Sequence, residues 1–179
     1  MSSITEINFN DIVVRISNVL ALSPLLFPNT VGGDPTKEDL VKQIVEYDLA
    51  VSQDVVDGEG PPHIFVREAP NPVVADKTSG RDSRDIRGAR QLELEFWAVV
   101  IVREALYDLS QQARFNITSA IQETLGENKR LLDDLGADPK AMELSYFTTP
   151  FTMLETEDKT VQANTVVIRL KVMVNLRAT

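Results

Sequence analysis

Cysteine is absent from this chain, histidine and tryptophan occur once each, and no apolar run approaches the roughly 20 residues that a membrane span requires. Without cysteine there are no disulfides, no thiolate nucleophile and no sulfur ligands for a metal, so the fold has to stand on its core. A single histidine, His63, leaves a Ser-His-Asp triad or a histidine metal cluster one residue to build on, directly after Pro61 and Pro62. The first seven residues carry neither a basic region nor an apolar stretch, so the chain is expected to be made in the cytoplasm without a membrane. Positive charge is also scarce: 18 Lys and Arg against 27 Asp and Glu give a formal charge of -9 and a pI near 4.6. Proteins that grip nucleic acid generally do so with an excess of Lys and Arg that displaces counterions from phosphates, and here the balance runs the other way.

What is present suits one globular domain spanning 1–179, with 43% hydrophobic and 25% charged residues. Over 8–21, Phe9, Ile12, Val13, Ile16, Val19 and Leu20 recur at the three-and-four spacing of a helical face, with Asn8 as cap and Asp11 in the first turn. Residues 23–35 hold three prolines and the Gly32-Gly33 pair, which predicts a loop. A second helix is expected from Thr36, with Leu40, Val41, Ile44 and Val45 on one side, followed by a strand over 47–56. A short strand over 63–69, closed by Pro70-Asn71-Pro72, leads into a polar excursion at 73–89 that is long enough to be a mobile loop.

Alternation then places Leu92, Leu94, Phe96, Ala98, Val100 and Val102 on one face of a strand over 90–103, whose far half is apolar on both faces. A helix over 105–125 presents Leu106, Leu109, Ala113, Ile117, Ala120, Ile121 and Leu125, with Gly126 as its stop and a further helical piece around Leu131, Leu132 and Leu135. Two strands follow: 143–155, which Pro150 marks as an edge, and 161–176, joined by a short polar turn as an antiparallel hairpin. The expected fold class is α+β: a mainly antiparallel four-stranded sheet with helices packed on one face, in α-β-β-α-β-β order.

Chemistry-bearing patterns are few. Glu93 and Glu95 share a strand face roughly 7 Å apart, a spacing that glycosidases use, but solvated outer-face carboxylates are the commoner outcome. The glycine pairs run into prolines and lack a phosphate-loop helix start, and Asp133, Asp134 and Asp138 lack calcium-loop spacing. No catalytic residue, cofactor or metal ligand is expected. The charge feature that stands out is Arg81, Arg84, Arg87 and Arg90, spaced by three and interleaved with Asp82 and Asp85, a candidate contact loop for another subunit or for DNA.

The amphipathic start at 8–21, the Pro62-His63-Ile64-Phe65-Val66 strand, the 93–103 strand, the 105–125 helix and the terminal hairpin together resemble the phage tail terminator family, also called tail completion or tail-to-head joining proteins. The resemblance covers most of the chain and rests on the order and pattern of elements. It implies a structural virion protein of the tail or neck, assembled in the host cytoplasm: a hexameric ring that caps the tail tube, ends its polymerisation and joins the tail to the head. The implied partners are further copies of the chain, the tail tube protein and a neck or head-completion protein, with DNA passing through the lumen without specific binding. Residues 23–57 exceed what a minimal member needs and read as an insertion that contacts a sheath or neck protein. Competing readings are another ring protein of the neck or tail tube, a small enzyme using Glu93 and Glu95, and a small DNA-binding module using the 81–90 arginine row.

Overall fold

A computed structural model of the chain describes residues 8–46, 62–78, 89–104, 107–128, 138–146, 151–156 and 159–175. The first helix, α1 (Phe9–Ala21), starts where the sequence places it: the Asn8 side chain accepts a hydrogen bond from the Asn10 amide, and Asp11 lies in the first turn. Its Ile12, Val13, Ile16 and Leu20 are buried. The strands β1 (Gln43–Glu46), β2 (His63–Thr78) and β3 (Ala89–Glu104) follow, then α2 (Tyr107–Glu127), and last β4 (Asp138–Tyr146), β5 (Phe151–Thr156) and β6 (Lys159–Asn175).

The strands form one mixed sheet in the order β1-β2-β3-β6-β4, with β5 also on β6. Pairings of β2 with β3, β3 with β6, β4 with β6 and β5 with β6 are antiparallel, whereas β1 runs parallel to β2. The α+β class therefore holds, but among the described residues the sheet is mixed and has six strands rather than the four expected, in the order α-β-β-β-α-β-β-β. The terminal hairpin closes as the short polar turn predicts, with Thr156 opposite Lys159. Of the strand expected over 143–155, the described residues fall in two segments, β4 and β5, that both pair with β6, and Pro150 lies outside the described residues.

Both helices lie on one face of the sheet. Ile12, Val13, Ile16 and Leu20 of α1 and Ile117, Ala120, Ile121 and Leu125 of α2 close on Ile64, Val66, Leu94, Phe96, Ala98, Val100, Val102, Val166, Ile168 and Leu170. Phe9 packs its ring against Phe96 at 6.3 Å. Each fully buried side chain of this size contributes about 1.5–3 kcal/mol, so this seam holds the fold together. Residues that alternate with these on β1, β2 and β3, namely Val45, Phe65, Trp97, Val99 and Ile101, form a smaller cluster on the opposite face.

Several expectations are corrected. No helix starts at Thr36: its amide and hydroxyl both donate to the Asp34 carboxylate, closing a local turn, and the β-branched Ile44 and Val45 instead pair with Ile64 and Phe65. The loop expected over 23–35 is present: residues 23–42, part of the stretch read as an insertion at 23–57, are turns tied to the core by buried Leu26 and Val41 and by the Leu40 amide on the Leu26 carbonyl. The Asp39 carboxylate holds this segment by accepting from the amides of Asn29 and Thr30 and from the Thr30 hydroxyl. Gly33 sits at φ 71°, where a side chain would be strained.

Residues 73–78 and 89 of the loop expected at 73–89 belong to strands instead. β2 continues past Pro70-Asn71-Pro72 to Thr78, and register shifts between Glu68 and Val73 and between Val73 and Ala75 absorb the prolines as bulges. Ala89 already belongs to β3, and 79–88 fall outside the described residues. Gly126 does not stop α2, which runs to Glu127 and is closed by Asn128, whose side-chain amide donates to the Thr124 carbonyl at 2.8 Å. Leu109, expected in the buried stripe, is exposed. The strand expected over 47–56 and the helical piece around Leu131 lie outside the described residues, whereas Asp138 and Pro139 open β4.

Candidate assembly surface

Of the residues singled out by charge, Arg81, Arg84, Arg87, Asp133 and Asp134 lie outside the described residues, as do Gly58 and Gly60. Arg90 is the second residue of β3, opposite Thr78 on one side and Val174 on the other. His63 does begin a strand, but at 1% exposure it is buried rather than partly exposed, its ring edge-on to Phe65 at 6.3 Å. Among the described residues no group of three or more His, Cys, Asp or Glu is placed to hold a metal ion.

Glu95 has a partner for each carboxylate oxygen. Oε1 accepts from the Trp97 indole Nε1 at 2.9 Å, and Oε2 accepts from Arg169 Nε at 3.2 Å. Strand geometry dictates both contacts: Trp97 is two residues along on the same face, and Arg169 is the cross-strand partner of Glu95. Arg67, opposite Trp97 on β2, lays its guanidinium 5.9 Å from the indole centroid. The result is a chain of Arg67, Trp97, Glu95 and Arg169 across three strands on the face opposite the helices. Sequence pattern finds Glu95 here but not its partners, because Arg67 meets Trp97 only through a register that two bulges adjust.

A second feature lies where the two helices end. The Ser23 and Thr124 hydroxyls share a buried hydrogen bond of 2.6 Å, tying the turn after α1 to the last turns of α2. Ser23 Oγ also accepts from the amides of Leu25 and Leu26 at 3.3 Å, which fixes the turn and leaves Leu22 73% exposed. A groove of about 160 Å³ opens beside it, lined by Val19, Leu22, Pro24, Leu25, Glu127 and Asn128 among others. Neither α1 nor α2 has a basic residue in its last turn, and at the end of α2 the Asn128 side-chain amide donates to the Thr124 carbonyl.

The third feature is an open strand edge. β1 covers only His63 to Val66 of β2, and among the described residues no strand pairs with the outer edge of 67–78, where Val73 and Val74 are exposed. Among the described residues, no helix is long and apolar enough to cross a membrane. No protein-family model matches the chain, and no curated protein matches it in sequence.

Proposed function

We propose that this chain is a structural subunit of a phage tail, copies of which close into a hexameric ring that caps the tail tube, stops its growth and presents the surface to which the head docks. The observation that carries the reading is the outer edge of β2 over 67–78, which no strand among the described residues covers and along which Val73 and Val74 are exposed. Unpaired strand edges with apolar side chains are templates for another chain, and natural sheets usually blunt them unless a partner covers them. A ring needs a different surface on each side of the subunit, and the sheet supplies two unlike edges, β1 with β2 on one side and β4 with β5 on the other. Further support comes from the order of α1, β2, β3, α2 and the β5–β6 hairpin, which follows the order of elements on which the family resemblance rests.

The engagement of both Glu95 oxygens favours a structural role for that carboxylate over turnover chemistry. The formal charge of -9 suits a conduit that DNA must pass without sticking. Tube and neck proteins are the partners of the two ring faces, and the turns at 23–42 form a further surface for a sheath or neck protein.

The test is to purify the chain, measure its mass, and image it by electron microscopy alone and with the tail tube protein. Closed rings, or rings seated on tube ends, are expected. A phage deleted for this chain is expected to make tails of irregular length or tails that fail to join heads. Normal infectious particles from that deletion would overturn the reading.

A further inference from the structure

The two edges of the sheet match each other in direction and in length. β2 runs antiparallel to β3, β3 to β6 and β6 to β4, so β4 runs against β2. A copy set beside the first in the same orientation therefore brings its β4 antiparallel to β2. β4 ends the strand order, with no strand on its outer side among the described residues. On the other edge β1 stops at Glu46, opposite Val66, which leaves among the described residues a notch one strand wide beside 67–78. The ladders set Ser145 level with Arg67, Met142 with Val73, Ala141 with Ala75 and Asp138 with Lys77. Residues 138–145 thus span the same levels as the notch. In the sequence the charges at these levels are opposite, with Asp76 and Lys77 against Lys140 and Asp138. Opposite charges across a ladder stabilise it, and like charges weaken it. Pro139 comes level with Asp76 and has no N–H to give, a loss that edge strands tolerate.

We propose that β4 of one subunit fills this notch in a second copy of the chain, so that the sheet continues across the interface through an antiparallel ladder of 138–142 with 73–77. This rests on the ring reading above and names the two strands that meet. The pairing is heterologous, since β2 and β4 are different edges, and heterologous contacts are what a closed ring repeats. Main-chain groups of both edges gain partners, and exposed Val73 and Val74 are covered. The bulge over 69–72 fixes the register, because a slip of β4 toward Arg67 would set its ladder against Pro70 and Pro72.

Because the chain has no cysteine, single thiols can be placed without background. Within one chain Val73 and Met142 lie three strand spacings apart, roughly 14 Å, beyond the reach of a disulfide, so a bond between them has to join two chains. Full-length Val73→Cys and Met142→Cys proteins are mixed under mild oxidation, with Phe115→Cys, exposed on α2, replacing Met142→Cys in the control. The Val73→Cys and Met142→Cys pair is expected to cross-link at least about ten-fold faster than the control, through the raised effective concentration of paired thiols. Adding Lys77→Asp to the Val73→Cys protein is expected to slow this about five-fold by setting like charges opposite each other, and adding Asp138→Lys to the Met142→Cys protein to restore it. No excess over the control in a sample whose mass is that of an oligomer overturns the strand pairing and leaves the ring standing. No excess in a sample that stays monomeric with and without tube protein overturns both. An excess that Lys77→Asp leaves unchanged overturns the register. Val73→Cys cross-linking to itself as fast as to Met142→Cys overturns the head-to-tail arrangement.

Discussion

Glu95 acquires its setting from its neighbours on the sheet, with Trp97 on its own strand and Arg169 across the ladder. The pair is partly buried, with side-chain exposures of 16% and 32%, so it is worth more than a fully solvated bridge and far less than the ideal Coulomb value. A double-mutant cycle of Glu95→Gln and Arg169→Met is expected to give a coupling of about 0.5–1 kcal/mol in urea unfolding. A coupling near zero would show the contact to be incidental. Trp97, the sole tryptophan, is a built-in fluorescent reporter for the experiment. Phe96, on the opposite face of the same strand and fully buried against Phe9, belongs to the main core. Phe96→Ala is expected to cost about 3–5 kcal/mol by the same measurement, and a loss under 1 kcal/mol would mean that the seam between helices and sheet is not the principal core. At this scale the sequence shows Phe96 and its alternating companions plainly, since Glu93 and Glu95 between Leu92, Leu94 and Phe96 mark the outer face of the near half. Arg67 beside Trp97 is not legible there, because that contact is a product of register.

Elements with a single strong period, α1, β3 and β6, lie where the spacing puts them. Misread elements are those in which two signals compete. Around Thr36 a capping pattern and an aliphatic row suggest a helix, yet the Asp34 carboxylate captures the Thr36 amide and hydroxyl, and Ile44 and Val45 go to β2. In β2 two prolines imply a stop, and bulges carry the strand past them. The turns at 23–42 depend on Asp39, whose carboxyl is held below its ordinary value first by the Thr30 hydroxyl and then by the amides of Thr30 and Asn29. Asp34 is lowered in the same direction, chiefly by Thr36. A carboxyl lowered in the folded state contributes order that is fully present above its ordinary pKa and is lost as pH falls below it. The Asn29 and Thr30 amide resonances are therefore expected to keep their native positions on acidification until below about pH 4, then to shift together. Asp39→Asn is expected to remove that titration and loosen the turns at every pH. A midpoint at the ordinary carboxylate value would contradict the arrangement.

At the scale of the whole molecule, the proposed ring rests on one helix-covered sheet face and two unlike edges, which composition does not show. The α+β class and the antiparallel hairpin follow from the spacing of apolar residues and the short polar turn at 157–158. The parallel pairing of β1 was not legible, because a four-residue strand carries too little pattern to declare its direction. Val74→Lys places a charge on the open edge while leaving the core untouched. It is expected to lower the oligomeric mass of the protein, or its retention on tube ends, with unchanged Trp97 fluorescence and circular dichroism. Unchanged assembly would move the contact elsewhere.

The pairing of β3 with β6 from Ala89↔Asn175 to Glu104↔Thr160 joins parts of the chain far apart in sequence. Until β6 emerges from the ribosome, β3 has a neighbour on one side only and bears a long sticky flank of Leu, Val and Ile. Loop closure over such a distance is slow, on the timescale of milliseconds to seconds typical of non-local sheets. A nascent chain therefore passes through an interval in which it could zip onto the wrong strand, and crowded synthesis would make its yield sensitive to chaperone supply.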